Sequence, residues 1–307
     1  MITSVFGKSK PINFILCIGI LLVYFVMHLF SEDKAFNLDR IAAEVPVLLL
    51  LVFALFVIDF IVKKNDLTQQ NDYALFFATI FIGFFPAIFE NIQMVCIYIL
   101  ILFAFRRIIT LGSLRSVKRK IFDATFFIGC AVLFDSWILL YTIVIYLGIL
   151  LYVSSDYRNW LVPIVALTVV IGLFIVYLLF VEQNVLTNPL FQFDIKINYS
   201  ATSYRRIALH LVITLLFSIN FVIFFLKYKT YSSQKKISFL LTKVLFFTGI
   251  TYVLFAKNIM QNTELLLLFP LAVFMGNLLE RIENKRIGDI ITLLLMIVSF
   301  LFNIYPK

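Results

Sequence analysis

Carboxylates placed next to arginines, and carboxylates held in very short turns between apolar runs, are the residues of this chain whose types and spacing could do chemistry. The stretch SEDKAFNLDRIAAE, residues 31–44, carries Glu32, Asp33, Asp39, Arg40 and Glu44. Glu90 lies in the turn FENIQ and Asp135 in the turn FDSW. The stretch EQNVLTNPLFQFDIKINYSATSYRR adds Glu182, Asp194, Lys196 and the doublet Arg205 and Arg206. Adjacent guanidinium groups match phosphate oxygens in pairs. A carboxylate beside them can take a proton from an acceptor hydroxyl or hold a divalent metal, the only cofactor this pattern suggests. Together these groups suit transfer from a lipid phosphate, with Asp39, Glu90 and Asp135 as candidate catalytic groups. Arg40, Lys196, Arg205 and Arg206 are then the candidate phosphate- and lipid-binding groups. The plainer reading is that such charges mark helix ends, and that the arginines hold lipid headgroups.

The elements that must position these groups are membrane helices. In a chain of 307 residues, 63% apolar content, 36 Phe and only 14% charged residues leave too little polar surface for a soluble domain of that length. The apolar runs are 11–30, 45–62, 73–89, 92–105, 121–134, 137–153, 160–181, 207–226, 237–256, 265–279 and 287–305. They predict an all-α, polytopic transmembrane protein of about eleven helices, with nine to eleven as the range, because lipid-exposed strands would need a closed barrel and its alternating polarity. The runs 92–105 and 121–134 are short: 14 residues span roughly 21 Å against a hydrocarbon core of about 30 Å. They need partners or polar ends. The start, MITSVFGKSKPINF, has Lys8 and Lys10 before an apolar run and no small-residue cleavage site after it, which reads as an uncleaved first helix.

The face on which each loop lies follows from the stretch RRIITLGSLRSVKRK, Arg106–Lys120, whose six Lys and Arg residues oppose export. With that loop cytoplasmic, the amino terminus is cytoplasmic, the carboxyl terminus periplasmic, and the protein belongs in a bacterial inner membrane. Segments so assigned inside carry 18 of the 26 Lys and Arg residues and those outside carry seven. Nine of the 17 acids fall outside and five inside. The candidate acids and arginines therefore share the outer face. The net charge of +9 does not point to nucleic acid, because the cations sit in short loops beside apolar runs. Among charges within or near the runs, Lys243 is expected to snorkel or to pair with Asp59 or Asp123.

The order of loops resembles that of the GT-C superfamily of membrane glycosyltransferases. It has a charged first outer loop, short hairpins after the third and fifth runs, and a long outer loop after the seventh, with KIFDATFFIGCAVLFDSWILLYTIVIYLGILLY and RNWLVP placed like the superfamily's fifth and sixth helices. The resemblance implies a single integral membrane domain with a core over residues 1–230 and additional helices over 231–307. It also implies a polyprenyl-phosphate sugar donor, and a catalytic acid in the first outer loop that Asp39 matches best. At closer range the whole chain is similar to a family of bacterial polytopic membrane proteins of unassigned chemistry. That similarity rests on MITSVFGKSKPINF, on KIFDATFFIGCAVLFDSW with RNWLVP, and on LLLFPLAVFMGNLLE. Members of that family often bear the label beta-carotene 15,15'-monooxygenase. The residues argue against it: carotenoid-cleaving enzymes on non-haem iron use four histidine ligands, and this chain has two, His28 and His210.

Both histidines fall near outer helix ends, as interfacial histidines do, and no HxxH or HxxxH spacing assigns a metal. The three cysteines, Cys17, Cys96 and Cys130, lie within apolar runs and serve packing. No glycine-rich phosphate loop or hydrolase motif is present in the sequence. Beside the transferase reading stand a non-catalytic subunit or scaffold of an envelope complex and, less favoured, a transporter, for which the chain shows no internal repeat. The partners these readings imply are the bilayer with either a polyprenyl-phosphate lipid or an envelope protein complex.

Overall fold

Residues 2–30, 38–181, 233–256, 262–282 and 284–304 are described by the computed structural model of the chain. Among them there is no strand, and the α-helices are α1 (Ile2–Phe6), α2 (Pro11–Leu29), α3 (Leu38–Lys64), α4 (Tyr73–Ile82), α5 (Ile92–Ile109), α6 (Val117–Val132), α7 (Thr142–Val153), α8 (Arg158–Phe180), α9 (Ser233–Ala256), α10 (Leu268–Leu279) and α11 (Lys285–Ile304). Seven helical segments are long and apolar enough to cross a membrane. The expected all-α polytopic protein is therefore what the chain forms. The run 207–226 lies outside the described residues, and α1 is a short helix that the apolar runs did not mark.

Two boundaries differ from the expectation in the same direction. The apolar run 92–105 extends as α5 and a following 3-10 turn to Ser113, a span of 22 residues. At the other side of the basic stretch, α6 begins at Val117, so Lys118, Arg119 and Lys120 form its first turn. Long basic side chains favour helix and can reach outward past the apolar core, so hydropathy stops before the helix does. In the first loop, Leu38–Glu44 is helical. It is the start of α3, which continues through Pro46 to Lys64. Its 27 residues span roughly 40 Å, more than the hydrocarbon core, so its first turns can stand in the interface.

The chain divides into two compact units. The first contains α1 to α4, α10 and α11, and α4 packs mainly on α10. Nearly every residue of α4 and α10 is buried, which fits an all-round apolar helix in the middle of a bundle. Close approach depends on small residues: a Cβ on Gly276 would meet the backbone nitrogen of Ala74 at 3.2 Å. The second unit contains most of α5 with α6 to α9, and α6 packs on α8 where a Cβ on Gly129 would meet Val170 at 2.9 Å. Outward faces are apolar too, with Leu173, Tyr177 and Phe180 of α8 exposed, as lipid contact requires.

Each unit contains a turn of one design, in which a helix ends, the chain turns and a 3-10 segment follows. In the first unit the 3-10 segment is Pro86–Glu90, and in the second it is Ser136–Tyr141. These are the turns that carry Glu90 and Asp135.

The near end of α2 is fastened at Asp72, which is buried. Its oxygens accept from Ser9 Oγ at 3.0 Å, the Lys10 backbone N–H at 3.0 Å and Asn13 Nδ2 at 2.6 Å, and Lys63 Nζ of α3 lies 3.0 Å away. Asp59 pairs with Lys63 at 2.8 Å, and Asp123 pairs with Arg107 at 3.1 Å. The first is an i,i+4 pair within α3 and the second joins facing ends of α5 and α6, so both meet without a long reach.

Candidate functional site

At the far end of α2, three elements of the first unit bring four polar side chains together. His28 is in the last turn of α2, Arg40 and Glu44 lie one turn apart near the start of α3, and Glu90 ends the 3-10 turn. The i,i+4 spacing puts Arg40 and Glu44 on one helix face, and Arg40 Nε donates to Glu44 Oε1 at 2.7 Å. Arg40 Nη2 reaches across to α2. It donates to the His28 carbonyl oxygen at 3.3 Å, one of the carbonyls a helix end leaves without an intrahelical partner, and lies 3.2 Å from His28 Nε2. The turn that bears Glu90 is held by its neighbour Phe89, whose ring packs against Phe25 at 5.3 Å and His28 at 5.5 Å between centroids. Glu90 Oε1 then sits 3.2 Å from His28 Nε2, and Glu44 Oε2 sits 3.5 Å from the same nitrogen.

Burial makes these contacts matter. Glu44 is 4% exposed and the Arg40 side chain 16%, so both are largely withdrawn from water, while Glu90 is open at 36%. Among the described residues, two atoms of the cluster are buried without a hydrogen-bond partner: Arg40 Nη1, a donor, and Glu44 Oε2, an acceptor. Buried groups of this kind usually have a partner, so a donor and an acceptor left over in one cluster describe a place for something else. The His28, Glu44 and Glu90 ligand atoms all lie within 4.8 Å of one another, which makes them the group here that could hold a metal ion.

Asp39 is exposed in the first turn of α3, one residue before Arg40. Asp135 belongs to the second unit and has a different setting. Its Oδ1 accepts from the Trp137 backbone N–H at 3.0 Å, as an N-cap, and its Oδ2 accepts from the Tyr252 hydroxyl at 2.7 Å. Burial pushes the Asp135 carboxyl above the ordinary carboxylate range, and the two hydrogen bonds pull the other way. Tyr141 stacks edge-on to Tyr252 at 6.4 Å, and the hydroxyls of Tyr141 and Tyr98 are buried without a hydrogen-bond partner among the described residues. Lys196, Arg205, Arg206 and His210 lie outside the described residues.

Of the candidates named from sequence, Arg40 and Glu90 meet in one cluster, with Asp39 next in the chain to Arg40. The two residues that complete the cluster, His28 and Glu44, were assigned no role by the sequence pattern. The signal for Glu44 was its spacing from Arg40. The signal for His28 was the shortness of the 31–44 stretch, which obliges the end of α2 and the start of α3 to be neighbours. Comparison with protein families, curated proteins and solved structures returns no match.

Proposed function

We propose that this membrane protein is a transferase of the GT-C-like kind that receives a polyprenyl-phosphate-linked sugar at the end of the bundle holding Arg40 and Glu90. Its membrane is the bacterial inner membrane, its amino terminus is cytoplasmic, and the Arg40 end faces the periplasm. The observation that carries the reading is the half-used fork of Arg40. A guanidinium stays charged at any physiological pH, and with Nε on Glu44 and Nη2 on His28, its buried Nη1 is left to bind an oxyanion. In the reaction, the acceptor hydroxyl oxygen forms a bond to the anomeric carbon as the bond from that carbon to the phosphate oxygen breaks. The hydroxyl proton passes to a carboxylate, for which Glu90 and Asp39 are the exposed candidates, and Arg40 stabilises the departing polyprenyl phosphate. Lys196, Arg205 and Arg206, outside the described residues, stay phosphate-binding candidates on the sequence pattern alone.

A second reading is favoured by one contact. Arg40, held by Glu44 within α3, donates across to the His28 carbonyl of α2, which would equally serve as a clamp between the two helices in a non-catalytic subunit of an envelope complex. The test is to place Asp39→Asn, Glu90→Gln and Arg40→Lys in the native host and follow surface glycans with protein abundance. Loss of a glycan at unchanged abundance is expected of the transferase. Unchanged glycans in all three variants remove that reading, and glycan loss that tracks falling abundance supports the clamp.

A further inference from the structure

The transferase reading leaves Glu44 Oε2 without a task, and that atom leads to a separate conclusion. His28 Nε2 stands at the meeting point of one donor and two acceptors: Arg40 Nη2 at 3.2 Å, Glu90 Oε1 at 3.2 Å and Glu44 Oε2 at 3.5 Å. A ring nitrogen is either a donor or an acceptor. If Nε2 accepts from Arg40, its lone pair faces two carboxylate oxygens. If it carries a proton for a carboxylate, that N–H faces the N–H of a guanidinium. Either state leaves a contact of like with like in a buried place, and in either state Glu44 Oε2, on a side chain 5% exposed, has no hydrogen-bond partner among the described residues.

We propose that His28 Nε2, Glu44 Oε2 and Glu90 Oε1 form an open three-ligand site for a divalent transition-metal ion, zinc foremost. A cation placed among them turns three mutually repelling lone pairs into ligands. The spacing fits the size of the ion. Zinc bonds to nitrogen and oxygen of ~2.1 Å at a tetrahedral angle set ligand atoms ~3.4 Å apart; the two edges from Nε2 are 3.2 and 3.5 Å, and all three ligand atoms lie within 4.8 Å of one another. One nitrogen with two carboxylate oxygens is a donor set for zinc and its neighbours, and it is a poor one for magnesium, which demands six near-octahedral oxygens. Three protein ligands leave the fourth position for water or for a substrate oxygen. Arg40 keeps its bonds to Glu44 Oε1 and to the His28 carbonyl, so it holds two ligands in place from behind.

This inference does not depend on the lipid-phosphate reading, and its test contains no lipid. The full chain is purified in detergent, stripped with a chelator, equilibrated with zinc or magnesium alone, and its bound metal measured by mass spectrometry. Wild type is expected to retain one equivalent of zinc and no magnesium. Glu90→Gln and His28→Gln are each expected to retain less than about a tenth of an equivalent, as loss of one of three ligands dictates. Glu90 is partly exposed, so its variant leaves the buried pairing intact and carries the test if the His28 variant does not fold. Failure of wild type to take up zinc overturns the site, as does wild-type zinc content in folded Glu90→Gln.

Discussion

A buried charge that has all its partners behaves differently from one that does not, and the contrast between Asp135 and Arg40 follows from it. Both oxygens of Asp135 are engaged, one by the Trp137 N–H and one by the Tyr252 hydroxyl. Replacement by alanine leaves that hydroxyl buried and unanswered and removes the cap, a cost of about 2 kcal/mol. Asn can still accept at Oδ1 and donate to the tyrosine oxygen. Asp135→Ala is therefore expected to lower the melting temperature in detergent by several degrees, and Asp135→Asn to hold close to wild type. The pH dependence carries a sign as well. Because the folded carboxyl titrates above its ordinary range, the folded state takes up this proton more readily than the unfolded chain. Its contribution to stability is full below the ordinary carboxylate range and is lost as pH rises through the raised value. Asp135→Asn lacks that slope. If Asp135→Asn melts as early as the alanine variant, the hydrogen-bonded role is wrong; if it melts normally and abolishes activity, Asp135 belongs to the chemistry. Sequence alone marks Asp135 and Arg40 alike as charges next to apolar runs. What separates them is which atoms across the bundle meet their oxygens and nitrogens, and spacing along one chain does not contain that.

Among the elements, α3 shows what hydropathy reveals and what it leaves out. The apolar run from 45 marks a membrane helix correctly, yet the helix starts at Leu38, and the seven residues before the run bring Arg40 and Glu44 to the site. Charged residues of good helix propensity are invisible to a hydropathy count, and the same blindness shortens α5 and α6 on either side of the basic stretch. The hairpin turns were legible as turns, since FENIQ and FDSW set acidic and polar residues between apolar runs. That they are 3-10 segments leading straight into helices was not, because a few residues of tight helix have no distinct apolar period. Packing in the turn that leads to Glu90 is close. A Cβ on Gly83 would collide with Ser299 Oγ and the Tyr24 ring, and Ser299 is bonded to that tyrosine hydroxyl at 2.8 Å and to the Ile80 carbonyl at 2.9 Å. Gly83 has an ordinary helical backbone, so the requirement is for space and not for an unusual conformation. Gly83→Ala is expected to cost about 1–3 kcal/mol through forced repacking, read as an earlier thermal transition. An unchanged transition would mean the turn has room that its contacts deny.

Over the whole molecule, the bilayer explains more than any single contact. Seven helical segments of sufficient length among the described residues, with an apolar exterior, make this chain a multi-pass membrane protein. Lipid solvates the outside, so polar side chains inside the bundle have to satisfy one another. The carboxylates of Asp72 and Asp135 are satisfied in this way. At the end of α2, among the described residues, one buried donor and one buried acceptor are left over, Arg40 Nη1 and Glu44 Oε2, and the proposed function starts from them. Composition and charge distribution disclosed the membrane class, and the short first loop held the neighbourhood of α2 and α3; the meeting of His28 with Glu90 came only from the folded turn. The most direct measurement is binding of polyprenyl phosphate to the purified full chain by native mass spectrometry, with unphosphorylated polyprenol as control and Arg40→Lys as the variant. Lysine keeps a charge for Glu44 and loses the fork. Wild type should bind the phosphorylated lipid and not the alcohol, and Arg40→Lys should bind it at least about tenfold more weakly, the 1.4 kcal/mol of one charge-assisted hydrogen bond. Equal binding of the two lipids, or equal affinity in a folded Arg40→Lys, would contradict the account.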